Sequence, residues 1–124
     1  MFSIHPSRHI LLLAASLMLV SCGQKAQIPP LKDGQALRQD CIKLMQQFPD
    51  GQILSSDWPA SVKALKPIAV TRERDCVRIL LKQERGKFAG GYAVFENAQL
   101  SPSTQGVWVR KTEFKGVYQY RTWY

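Results

Sequence analysis

Histidine occurs only at positions 5 and 9 of the 124-residue chain. The rest of the sequence therefore lacks the imidazole needed for a Ser-His-Asp triad, a Cys-His thiolate pair or a histidine-ligated metal. Acidic residues are scarce too: nine Asp and Glu stand against 17 Lys and Arg, for a formal charge of +8. They are scattered singly from Asp33 to Glu113, without the spacing of a calcium loop or any sign of a paired-carboxylate site. Gly34, Gly51, Gly90-Gly91 and Gly106 do not form a phosphate-cradling loop. Ser61 is followed three residues later by Ala64, where a Ser-Lys dyad would need lysine. Long apolar runs are missing: the longest, Ile10 to Val20, is eleven residues and as a helix rises about 16 Å, roughly half of a bilayer's hydrocarbon. The length allows one domain and excludes a Rossmann or barrel enzyme. No cofactor or metal is expected, and an enzyme of unrecognised type is the least favoured class.

What is present begins with a targeting pattern. Arg8 lies in an acid-free start, the short apolar run follows, and Ser21 and Cys22 come after it. A basic start, a short apolar segment and small residues together describe a secretory signal peptide. Residues 1–21 are read as that signal, 22–32 as a tether and 33–124 as the folded domain. Removing the signal takes away both histidines and one arginine but none of the nine acids.

The junction Leu19-Val20-Ser21-Cys22 resembles the lipobox of bacterial lipoproteins, a resemblance confined to the signal and its cleavage site. It implies that Cys22 carries a diacylglyceryl thioether, that cleavage falls before it, and that the new amine is acylated as well, with palmitate as a usable label. Each buried methylene contributes about 0.8 kcal/mol, so two or three acyl chains hold a protein on a membrane almost permanently. Gly23 stands where an Asp would resemble an inner-membrane retention signal. The expected location is the cell envelope, on the periplasmic face of the outer membrane if the cell has two membranes.

With Cys22 assigned to lipid, Cys41 and Cys76 remain. In an oxidising compartment such a pair is expected to form a disulfide. Closing a loop of about 35 residues would stabilise the fold by roughly 4 kcal/mol in the chain-entropy account. The tether Gly23 to Lys32 contains Pro29-Pro30 and reads as extended polyproline chain. Asp33 can cap a helix on which Leu37, Cys41, Leu44, Met45 and Phe48 share a face, ended by Pro49-Asp50-Gly51. A second, short helix starts near Pro59 and stops at Pro67. Strands are expected over 68–71, 76–81, 88–96, 107–111 and 117–123, with a polar turn at Arg72 to Asp75. Helices followed by strands predict an α+β fold: one long and one short helix packed on a four- to five-stranded antiparallel sheet.

The positive functional signal is basic charge interleaved with aromatic residues. Eight basic residues lie between Lys63 and Lys87 against Glu73, Asp75 and Glu84. Arg110, Lys111, Lys115 and Arg121 alternate with aromatic residues near the carboxy terminus. Cytosolic proteins of this kind bind single-stranded nucleic acid, but export argues against that partner. The candidate binding residues are Arg72, Arg74, Arg78, Trp108, Arg110, Lys111, Tyr120 and Arg121. The competing interpretation is a solvated basic face whose rings are core or cross-strand packing. The favoured function is a non-enzymatic, membrane-anchored envelope protein that binds anionic lipid, cell-wall polymer or an envelope protein. The alternative is a small exported inhibitor or immunity-type protein, with the loop Asn97 to Gly106 as its plug.

Overall fold

The computed structural model describes residues 28–100, 102 and 107–123, with Val107, Trp108 and Trp123 placed by their backbone. The signal, Cys22 and, in the loop Asn97 to Gly106, positions 101 and 103–106 lie outside the described residues. Helix α1 spans Gly34–Gln47 and is capped by Asp33, whose carboxylate accepts from the Ala36 amide at 3.0 Å. Its apolar stripe follows the 3.6-residue period: Leu37, Cys41, Leu44 and Met45 are buried, and Phe48 packs at their edge. Strand β1, Gly51–Gln52, follows at once. A 3-10 turn, Ser55–Asp57, and the single-turn helix α2, Ala60–Lys63, come next. Val62 is fully buried under them, while Trp58 donates its indole N–H to the Ile53 carbonyl at 2.9 Å.

The rest is sheet: β2 Ala69–Arg72, β3 Cys76–Glu84, β4 Phe88–Phe95, β5 Val107–Lys111 and β6 Val117–Trp123. All neighbours are antiparallel, in the order β1-β2-β3-β4-β6-β5. The α+β class is as expected, but the sheet has six strands, not four or five. The unexpected strand is β1, whose two residues pair with Arg72 and Thr71. A two-residue strand of Gly and Gln offers no alternating pattern to read.

Period-two alternation sorts the side chains. Val70, Val77, Ile79, Leu81, Tyr92, Val94 and Val117 join the α1 residues in one core cluster. Cys76, Ala93, Phe95 and Tyr120 form a second cluster, with Tyr118 at its edge. Between β3 and β4 the register shifts after Leu80, and here Gly91 lies so close to Ile79 that a Cβ would collide with the Ile79 carbonyl.

Two expectations change at this level. The segment read as tether through Lys32 is attached to the domain from Ile28, which is 6% exposed in the main core cluster. The expected Cys41–Cys76 disulfide would turn Cys76 toward Cys41 on α1. Because Val77 points to the helix, its predecessor points the other way, and the structure carries Cys41 and Cys76 as free thiols in different clusters. Each thiol is pushed up to about 12. For Cys41 burial is the main cause, with Asp40 and then Cys76 adding to it; for Cys76 burial is again first, followed by Glu73.

Candidate functional site

The sheet is wider than the helix laid across it. Helix α1 rests on β3 and β4, while β6 and β5 continue beyond. One cross-strand row shows the consequence. On the helix-facing side Ile79 pairs with Tyr92, Tyr92 with Gln119, and Gln119 with Arg110. Polarity thus rises from apolar to cationic within four strands. In the next row Gly90 pairs with Arg121 and Arg121 with Trp108.

Beyond the helix this face is the floor of an open cleft of about 590 Å³. Gln119, Arg110 and Arg121 line it from the strands. One wall is the chain entering the domain, with Ile28, Pro30 and Leu31; the other is the β5–β6 turn, with Thr112, Glu113 and Phe114. The volume falls within the range of small-molecule sites.

Each wall is fixed by local chemistry. Tyr92 donates its hydroxyl to the Pro29 carbonyl at 2.6 Å, and Ile28 lies over Gly90, where a Cβ would come within 2.9 Å of its terminal methyl. Burial raises the Tyr92 pKa, opposed by a backbone hydrogen bond with Leu31. In the turn, the Thr112 hydroxyl accepts from the Phe114 amide at 3.1 Å and donates to the Val117 carbonyl at 2.7 Å. Gly116 closes the turn at φ +77°, a conformation that favours glycine. The Phe114 ring lies against the bare Cα of Gly34, the first residue of α1.

The cleft is cationic. Arg110 and Lys111 are exposed, Arg121 is half-buried with its guanidinium 5.9 Å from the Phe88 ring centroid, and Glu113 is the single acid of the lining. A mouth with Arg110 and Arg121 against one acid, over an apolar wall of Ile28, Leu31 and Phe114, suits an anion carried on an apolar body. Among the described residues no group of three His, Cys, Asp or Glu could hold a metal ion.

The eight sequence-derived candidates fall in three places. Arg110 and Arg121 share the cleft; the Lys111 backbone borders it but its register opposite Tyr118 belongs to the other face, and Trp108 is placed only by its backbone, opposite Arg121. Arg78 and Tyr120 lie on the other face, the guanidinium 5.2 Å from the ring centroid and paired with Glu73 at 3.2 Å. Tyr120 is buried there, in the second cluster. Arg72 is committed to the scaffold: it bonds Asp50 at 2.7 Å and the carbonyls of Glu73, Arg74 and Met45. The Met45 contact satisfies a carbonyl in the last turn of α1. Arg74 borders a separate hollow of about 190 Å³ together with Arg72, Asp75 and Glu96.

Sequence reasoning missed the walls. Gln119 was legible, since it alternates with Tyr118 and Tyr120, but Ile28, Tyr92 and Phe114 come together only through tertiary contact. Comparison with known proteins gives no match: no family model, characterised protein or solved structure is significantly similar to this chain.

Proposed function

We propose that this chain is a lipid-anchored, non-enzymatic protein of the bacterial cell envelope that binds an anionic envelope component in the cleft between its entering segment and the β5–β6 hairpin. The anchor is Cys22, within Leu19-Val20-Ser21-Cys22, and the location is the periplasmic face of the outer membrane where two membranes exist. The observation that carries the binding role is the placement of Arg110 and Arg121 on one face of the sheet, lining one concave surface with Glu113 as its single acid. Anions in such a partly enclosed site feel a less screened field than on an open surface.

The test uses the full chain expressed in a bacterium with labelled palmitate. The wild type should incorporate label and sediment with membranes, and C22S should do neither. Purified lipidated protein should retain anionic envelope material at low salt and release it as salt rises, while R110A/R121A should retain little. An unlabelled wild-type chain refutes the anchor. Retention unchanged by salt or by R110A/R121A refutes the cationic cleft, and a single stoichiometric protein partner favours the inhibitor-type alternative.

A further inference from the structure

Resting on that proposed reading, we infer that the occupant of the cleft is the phosphate head group of an anionic phospholipid drawn from the bilayer that holds the anchor. The argument starts from chain length. Ile28 and Pro30 belong to one wall of the cleft, and Ile28 is sunk in the core. Only six peptide links separate Cys22 from Ile28. At 3.3–3.6 Å per residue, the wall cannot stand more than about 22 Å from the lipidated sulfur. The cleft is therefore held beside the head groups and cannot roam the periplasm on a long leash.

The chemistry agrees with the placement. A glycerophosphate head group needs cations for its phosphate, polar partners for its glycerol oxygens and an apolar strip for the first acyl carbons. Arg110 and Arg121 supply the first, Gln119 the second, and Leu31 with Phe114 the third. Guanidinium forks match phosphate oxygens in pairs. The cleft volume accommodates a head group but not two full acyl chains, so the chains would stay in the bilayer.

The entering segment is part of the site as well as its leash. The Tyr92–Pro29 hydrogen bond and the seat of Ile28 over Gly90 hold the wall in place. A bound head group would pack against that wall and slow its exchange with solvent.

The experiment reconstitutes full-length lipidated protein into phosphatidylcholine vesicles with or without 20 mol% phosphatidylglycerol. Amide hydrogen exchange is read at Ile28 and Leu31, the two amides flanking Pro29-Pro30, and at residues 107–121. Phosphatidylglycerol should slow exchange in both segments. In an anionic-lipid titration R110A/R121A should need about 25-fold more lipid for the same protection, taking each basic side chain near an anionic surface at about fivefold. R85A/K87A, which removes two exposed cations from the β3–β4 turn, should shift the titration much less.

Equal losses for the two double variants would overturn the cleft in favour of diffuse charge attraction. Protection produced in phosphatidylcholine vesicles by inorganic phosphate alone would overturn the lipid as source. A wild-type protein that carries acyl chains and inserts, yet shows identical exchange in both vesicles, would overturn this inference and leave the anchoring proposal standing. Mass spectrometry finding no acyl group on Cys22 would remove both.

Discussion

The two halves of the sheet are built from the same alternating strands and end up as different materials. Under α1, the row Val77–Val94 is fully buried, and Ile79 beside it is too. Beyond α1, positions on the same face carry Gln119, Arg110 and Arg121. Val117 marks the boundary: it is fully buried at the start of β6, and two residues later the same face turns polar. The helix rests on β3 and β4 and leaves β5 and most of β6 uncovered by it on this side. Apolar side chains follow the helix, so one half is scaffold and the other is surface.

The harshest way to probe this division is alkaline pH, because both buried thiols lie in the scaffold half. Unfolded, they ionise near their ordinary value of 9.0; folded, they keep their protons until about 12. Their contribution to stability is complete below pH 9 and is lost as pH rises toward 12, since only the unfolded chain gains by ionising. Urea midpoints should fall steeply across that window, and C41A/C76A should fall less steeply from its own lower starting point.

Next in size, I79A removes a fully buried side chain and should cost about 3 kcal/mol in urea unfolding. A loss below about 1 kcal/mol would mean that the covered half is less tightly packed than its burial implies. The boundary is sampled by Y92F, which deletes the hydrogen bond to Pro29. It should cost about 1 kcal/mol and speed amide exchange at Ile28 and Leu31 more than in α1. The smallest stability effect belongs to the bare half: R110A/K111A should stay within about 0.5 kcal/mol of wild type. A larger destabilisation would show that these cations hold the hairpin together, and the contrast between scaffold and surface would fail.

Local pattern made most of the elements legible. The helix stripe from Leu37 to Met45, the Asp33 cap and the ends of β5 and β6 follow directly from period and capping chemistry. Strand β1 was invisible because it has too few residues to show a period. The basic candidates were drawn from composition, which counts charge without saying where it points. Arg72 looked like a ligand-binding cation yet spends its donors on Asp50 and three carbonyls. Arg78 and Arg110 looked equivalent, and the sheet puts them on opposite faces. The orientation of Cys76 was readable from Val77, whose neighbours Ile79 and Leu81 fix the inward parity. What no local pattern held was the entering segment, because Ile28 finds its seat on a strand more than sixty residues away in sequence.

One contact decides how wide the cleft stands open. Phe114 forms part of its wall and rests on Gly34, where even one methyl group would strike the ring. The aperture is thus calibrated by the smallest side chain in the alphabet, at a position that touches no ligand. Enlarging that residue would act like a shim behind a door, changing what fits without altering a single charge.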